Sequence, residues 1–247
     1  MNNSLKTLLM VLAGLVSIES ARAFTQDEPS HTAVLPAPRD ATWIQRRHER
    51  LNEEVSRRRD EIKLLFIGDS ITDAWSGPGK EQWNKRFAPR GAVNLGIGGD
   101  RTQHVLWRLE NGNIEGVKPK AAVLMIGTNN SNGKDHTAED IADGIKAIVA
   151  KLRKELPEMK ILLLAIFPRS EKPSPQREKN AQASKLASEV ADGKMVHYLD
   201  IGDKFLSDDG TLSKEIMPDS LHLSPKGYEI WVAAIEPKVA ELMGEKP

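Results

Sequence analysis

Cysteine is absent from this sequence, and its absence excludes several kinds of chemistry at once. Without a thiol the chain can form no disulfide, offer no thiolate nucleophile and build no thiolate metal site. Any nucleophile must therefore be an oxygen or a nitrogen atom. The lack of disulfides is compatible with export, because disulfides are permitted in exported proteins but not required.

An excess of charge of either sign is missing as well. The 247 residues include 35 lysines and arginines and 35 aspartates and glutamates, so the formal net charge is +0. No global field attracts a polyanion, and we predict no nucleic-acid partner. A chain of this length suffices for one α/β domain and is short for two separate cores.

The sequence also lacks an apolar run of the roughly 20 residues that cross a bilayer. Near the N-terminus, Lys6 precedes a short apolar stretch from Leu8 to Val16, and Ala21-Arg22-Ala23 offers small residues for cleavage. These features predict a signal peptide over residues 1–23 and a periplasmic or secreted protein with no integral membrane segment after cleavage. A membrane anchor is the alternative, which the shortness of the apolar stretch disfavours.

The next segment, residues 24–40, contains three prolines among polar residues, which predicts an extended lead-in without packed structure. The folded domain is predicted over residues 41–247. It begins with a helical pattern from Ala41 to Arg59 that is rich in arginine. Because glutamates interleave with these arginines, the pattern favours a solvated helix face over an anion-binding patch.

Short apolar runs and helical patterns then alternate along the chain. The apolar runs are Ile62–Ile67, Ala92–Leu95, Ala121–Ile126, Ile161–Ile166 and Met195–Leu199. The helical patterns are Glu81–Phe87, Thr102–Leu109, Ala138–Leu156, Pro175–Val190 and Pro225–Leu242. Runs that are apolar throughout are typical of parallel strands covered on both faces. The alternation predicts a three-layer α/β sandwich, with functional groups at the carboxyl ends of its strands.

Two polar segments follow the first two predicted strands. Gly68-Asp69-Ser70 places a serine where its hydroxyl and its backbone N–H can both face a bound ester, although an ordinary turn is an equally good interpretation, in which Asp69 shapes the turn. The glycine-rich segment from Asn94 to Asp100 lets a backbone N–H approach a ligand oxygen closely. A dinucleotide site is disfavoured there, because Arg101 stands where its third glycine is needed.

Two further segments complete a possible acyl-transfer site. Gly127 to Asn130 supplies side-chain amide donors, with a polar turn as the alternative. Asp219 precedes His222 by three residues, so its carboxylate can orient the imidazole as a base, with a surface loop as the alternative. Together the four segments hold the parts that acyl transfer requires. The other histidines form no metal-binding pattern, and we predict no metal and no cofactor.

These segments resemble the SGNH (GDSL) hydrolase superfamily, and most of all the platelet-activating-factor acetylhydrolase Ib catalytic-subunit group. The similar stretches lie between Leu51 and Leu242 and include the residues 94–102 and 104–109. The resemblance implies a flavodoxin-like, five-stranded parallel sheet. It also implies Ser70, with Asp219 and His222, as the catalytic residues, and an oxyanion hole formed by Ser70, Gly98 and Asn129.

The resemblance further implies hydrolysis of a short acyl ester, often acetyl. We expect an acetylated carbohydrate as substrate, with a lysophospholipid or another lipid ester as the alternative. A carbohydrate-binding module without catalysis and a flavin carrier are alternatives of other classes, and the sequence leaves the oligomeric state open. The predicted export signal is foreign to the cytosolic animal enzymes of the group. Ser170 stands where that group leads us to expect glycine.

Overall fold

The computed structural model describes residues 31–245, in which helices and strands alternate as the sequence predicts. The strands are β1 (Leu64–Gly68), β2 (Ala92–Gly96), β3 (Ala121–Met125), β4 (Lys160–Leu164) and β5 (Val196–Leu199). The helices are α1 (Thr42–Arg58), α2 (Ser70–Asp73), α3 (Lys80–Gln82), α4 (Thr102–Glu110), α5 (Ala138–Glu155), α6 (Pro175–Ala187) and α7 (Pro225–Met243). Within these residues no helix is both long and apolar enough to cross a membrane.

All five strands are parallel and lie in the order β2-β1-β3-β4-β5. The chain leaves β1 toward one edge of the sheet to form β2, then returns to form β3 on the other side of β1. Strand order therefore reverses beside β1, and such reversals open a crevice at the carboxyl ends of the strands. The predicted three-layer α/β fold with a flavodoxin-like five-stranded sheet is confirmed.

Each face of the sheet is covered by its own hydrophobic core. Because side chains alternate along a strand, Leu65 and Ile67 face one core while Leu64 and Phe66 face the other. The first core includes residues of α1, α4, α5 and α6. The second is rich in aromatic residues and includes Trp231 of α7. Burial on both faces explains why the strands are apolar throughout.

Two glycines at the strand ends bring α2 close to the sheet. A Cβ atom on Gly68 would lie 2.4 Å from the carbonyl oxygen of Met125, and one on Gly96 would lie 2.2 Å from the backbone nitrogen of Asp73. Neither position has room for a side chain. The first turn after β1 is thereby seated directly on the carboxyl ends of β1 and β2.

The residues before α1 differ from the predicted extended lead-in without packed structure. Thr32–Val34 form a turn of 3-10 helix, and Ala33 is fully buried. The carbonyl oxygen of Ala33 accepts a hydrogen bond of 2.8 Å from the Thr102 hydroxyl. Proline restricts the backbone but does not prevent it from packing, so composition alone was misleading for residues 31–40. The predicted signal peptide lies outside the described residues.

Candidate active site

The serine turn is held by the aspartate that precedes it. Ser70 begins α2, and Asp69 caps this helix by accepting a hydrogen bond of 3.0 Å from the Ile71 N–H. The Asp69 side chain is fully buried, whereas Ser70 is partly exposed. The turn thus places the Ser70 hydroxyl at the crevice, and the Asp69 carboxyl that stabilises the turn stays buried.

A histidine and an aspartate from the loop before α7 meet this hydroxyl. Ser70 Oγ lies 2.9 Å from His222 Nε2, and His222 Nδ1 lies 2.7 Å from Asp219 Oδ2. A carboxylate accepts only, so Nδ1 carries the proton and Nε2 is left to accept the hydroxyl proton. The structure therefore joins three predicted residues in one hydrogen-bonded chain.

The Asp219 carboxylate is held in its charged form. Partial burial acts to raise its pKa, but the hydrogen bonds and positive charge of His222 and the hydrogen bond from the Leu221 N–H outweigh it, so the pKa lies below its usual value. Asp219 Oδ1 accepts from the backbone N–H groups of His222 at 2.7 Å and of Leu221 at 3.0 Å. The Asp219 carboxylate, which orients the imidazole, is therefore held in place by the backbone of the turn to which it belongs.

A second loop supports the histidine turn at Ser170. The Ser170 N–H donates a hydrogen bond of 2.8 Å to the carbonyl oxygen of Ser220. Ser170 has a φ of +69° and Ser220 a φ of +61°, both in the left-handed region that glycine adopts most easily. The backbone at Ser170 thus keeps a conformation suited to glycine, although the residue is serine.

The glycine loop after β2 lies against the serine. A Cβ atom on Gly98 would stand 3.8 Å from Ser70 Cβ, so the missing side chain leaves space directly beside the serine. Asn129, after β3, donates a hydrogen bond of 2.9 Å from its side-chain amide to the carbonyl oxygen of Asp100. An amide nitrogen has a second hydrogen to offer. The loops after β1, β2 and β3 thus meet at this edge of the sheet.

A buried ion cluster, which the sequence did not lead us to expect, connects these loops. The Asp100 carboxylate pairs with Arg108 Nε at 2.8 Å and with Arg39 Nη1 at 3.1 Å. Arg108 also donates to the carbonyl oxygen of Gly68 at 3.3 Å, and Arg39 to that of Gly98 at 2.7 Å. The cluster of Arg39, Asp100 and Arg108 therefore fixes the serine turn and the glycine loop relative to each other. In the sequence, Arg108 is recognisable as a possible buried charge because it stands among apolar residues of α4. Arg39 gives no such signal, because it lies in the predicted lead-in.

The buried carboxyl of Asp69 makes the stability of the folded chain depend on pH. Burial raises its pKa from 3.8 to about 7; the Asp100 charge acts in the same direction, and the Ile71 hydrogen bond and the His222 charge oppose it. The folded state therefore binds this proton more tightly than the unfolded state does. Asp69 is expected to lower the free energy of unfolding progressively as pH rises from about 4 to about 7.

Urea unfolding at several pH values checks this expectation against the variant Asp69→Asn. The asparagine can still accept from the Ile71 N–H but cannot ionise. Its free energy of unfolding should lack the decline between pH 4 and 7, so the variant gains stability over the natural chain toward neutral pH. Two profiles that run parallel across this interval would contradict the raised pKa.

The hydrogen-bonded serine, histidine and aspartate at the carboxyl edge of a parallel sheet form an arrangement that serine hydrolases use. A model of the "GDSL-like Lipase/Acylhydrolase family" matches residues 66–230. This chain belongs to that family, as the sequence resemblance predicts, and is a carboxylic ester hydrolase. No group of three potential metal ligands occurs in the described part of the chain.

Curated relatives and solved structures agree with this assignment. The chain is 39% identical over 215 residues to platelet-activating factor acetylhydrolase IB subunit alpha1 of Rattus norvegicus, covering 87% of this chain and 89% of the relative. It is 42% identical over 189 residues to the alpha2 subunit, covering 76% and 80%. An acetylxylan esterase from Geobacillus stearothermophilus is 20% identical, with a TM-score of 0.58 and coverage of 76% and 96%. This last similarity concerns the fold alone.

The predicted periplasmic or secreted location is wrong. The relatives that match 87% and 76% of the chain are platelet-activating factor acetylhydrolase IB subunits, which are intracellular, cytosolic proteins. The prediction depended on one lysine, a short apolar stretch and two alanines. A signal-peptide pattern depends only on the composition of about 20 residues, and no packing constrains those residues. It is therefore weaker evidence than these long matches at 39% and 42% identity.

Proposed function

We propose that Ser70 is the nucleophile of an esterase that removes acetyl groups, with His222 as its general base and Asp219 as the residue that orients His222. The observation that carries this proposal is the continuous hydrogen-bonded chain from Ser70 Oγ through His222 to Asp219. A serine hydroxyl is a weak nucleophile until an adjacent base takes its proton.

In the first half of the reaction, Ser70 Oγ attacks the ester carbonyl carbon and its proton passes to His222 Nε2. The carbonyl electrons move onto oxygen and form a tetrahedral intermediate. When this collapses, the bond to the alcohol breaks, and the departing oxygen takes the proton from Nε2. Acyl-Ser70 and the free alcohol result, and His222 is neutral again.

Water completes the cycle on the same residues. His222 Nε2 takes a proton from the water as its oxygen attacks the acyl carbon. Collapse of the second intermediate breaks the bond to Ser70 Oγ, which recovers the proton from Nε2 and releases the carboxylic acid. Asp219 stabilises the imidazolium in both halves and stays ionised, in keeping with its lowered pKa.

The oxyanion of each intermediate receives hydrogen bonds from the backbone N–H groups of Ser70 and Gly98 and from the side-chain amide of Asn129. Two observations support this role. Gly98 adjoins Ser70 with no intervening side chain, and Asn129 is oriented by its bond to the Asp100 carbonyl. Donors held in place before the reaction stabilise developing charge without reorganisation, each by roughly 3 kcal/mol.

An acetylated carbohydrate is the substrate that we propose. The rat relatives are named acetylhydrolases, which supports the acetyl group, and the Geobacillus stearothermophilus neighbour is named an acetylxylan esterase. A lipid ester is the second candidate, favoured by the name platelet-activating factor in those same relatives. The carbohydrate-binding module without catalysis is not retained, since the chain belongs to a hydrolase family.

Covalent labelling tests the nucleophile directly. A fluorophosphonate should react with the natural chain, and peptide mass spectrometry should locate the adduct on Ser70. The matched control is Ser76→Ala, which removes an exposed hydroxyl six residues further on and should label normally. An adduct on another serine would refute the assignment.

A series of p-nitrophenyl esters of increasing acyl length tests the preferred acyl group. We expect faster hydrolysis of the acetyl ester than of the octanoyl ester.

A further inference from the structure

An exposed tryptophan stands at the opening of the proposed active site. Trp43, at the start of α1, is 55% exposed, and Leu35 is the one other large hydrophobic residue exposed within residues 31–245. An indole left in water forgoes the stabilisation that burial would give it, about 25 cal/mol for each Å². An indole that stays exposed keeps this stabilisation available for contact with a ligand.

The indole and the serine border the same small space. The Cβ position of Gly98 lies 3.7 Å from Trp43 Cη2 and 3.8 Å from Ser70 Cβ. Because Gly98 has no side chain, nothing of its own fills the gap between ring and serine. A substrate whose ester carbonyl reaches Ser70 can therefore place its alcohol portion against Trp43.

Two charged side chains lie near the ring and the Gly98 position. Asp73 Oδ2 lies 4.0 Å from the same Cβ position, and Asp73 Oδ1 accepts a hydrogen bond of 2.9 Å from Arg47 Nη2. The Arg39 guanidinium lies 5.7 Å from the centre of the Trp43 ring. An exposed aromatic ring with charged groups nearby suits a pyranose, which has a face of C–H groups and a rim of hydroxyls. An acyl chain would need continuous apolar surface instead.

We propose that Trp43 is the platform of a sugar-binding subsite, on which the pyranose that bears the acetyl ester stacks while Asp73 accepts hydrogen bonds from its hydroxyls. This subsite deepens the proposed function and rests on it. It assigns the alcohol portion of the substrate to a carbohydrate.

The test compares two substrates in the variants Trp43→Ala and Trp43→Phe. One is an acetylated xylobiose, which can stack, and the other is ethyl acetate, which has no ring. In Trp43→Ala, kcat/KM for the sugar ester divided by kcat/KM for ethyl acetate should fall about tenfold, mainly through KM for the sugar ester. Trp43→Phe should recover most of this ratio, because the platform is restored. Leu35→Ala is the matched control and should leave the ratio unchanged.

The outcomes separate the subsite from the function on which it rests. If the natural chain hydrolyses neither ester, the proposed function fails. If it hydrolyses both and Trp43→Ala leaves the ratio unchanged, the subsite is refuted while the function stands. An acetylated lysophospholipid serves as a third substrate, and a loss in Trp43→Ala that is confined to this lipid ester would also refute the subsite.

Discussion

Replacing Ser70 or His222 with alanine is expected to lower kcat for p-nitrophenyl acetate by a factor on the order of 10⁴ to 10⁶. Each substitution removes one end of the hydrogen bond between Ser70 Oγ and His222 Nε2. Because nucleophile and base act as a unit, the double variant should be no slower than either single variant. Asp219→Ala should cost less, because the imidazole remains and loses only its orientation and its partner charge.

Steady-state kinetics of these variants, with Ser76→Ala as the control, provides the measurement. The control should retain the activity of the natural chain, since the Ser76 hydroxyl is exposed and donates to the backbone carbonyl oxygen of Asp73. Additive losses in the double variant would mean that Ser70 and His222 act independently, and a Ser70→Ala enzyme with substantial turnover would eliminate the covalent mechanism.

Asp100→Ala is expected to have the largest effect on stability, a loss of about 3–5 kcal/mol in the free energy of unfolding. Its carboxylate is the partner of Arg108, whose side chain is 3% exposed. Without this carboxylate the Arg108 guanidinium stays buried as an unpaired charge. Arg39, at 23% exposure, can regain water and contributes less to the loss.

Urea unfolding of Asp100→Ala beside Asp135→Ala provides the comparison. Asp135 pairs with Arg101 at 3.2 Å, but its side chain is 63% exposed, so this loss should be within about 1 kcal/mol. Each variant removes a carboxylate that pairs with an arginine, and the two ion pairs differ in how deeply they are buried. Equal shifts of the unfolding midpoint would show that the buried cluster does not stabilise the fold.

Local sequence patterns were sufficient to predict the sheet and most helices. Apolar runs such as Ala121–Ile126 differ from β3 by one residue at the end, because burial on both faces leaves a continuous apolar signal. The lead-in was harder, since Ala33 is buried by its contact with residues about 70 positions away. The short apolar run at residues 33–35, followed by prolines, shows no periodicity from which such packing can be predicted.

The candidate site was predictable in part, because some of its residues lie in short, recognisable segments. Ser70 and the pair formed by Asp219 and His222 belong to short segments whose residue order already suggests their chemistry. Arg39 and Trp43 belong to no such segment. Arg39 acts through the Gly98 loop, which is 59 residues distant in sequence, and Trp43 is notable because it is exposed and stands near Ser70.

By itself the sequence determined the family, the alternation of strands and helices, and the residue types able to carry out ester hydrolysis, because each of these is encoded in contiguous residues. Tertiary structure alone decided that Ser70 Oγ lies 2.9 Å from a histidine 152 residues further on, that the Arg39, Asp100 and Arg108 cluster joins two loops, and that an indole borders the opening. Such distances depend on strand order and on packing between segments that are remote in sequence. No local stretch of the chain determines either of these.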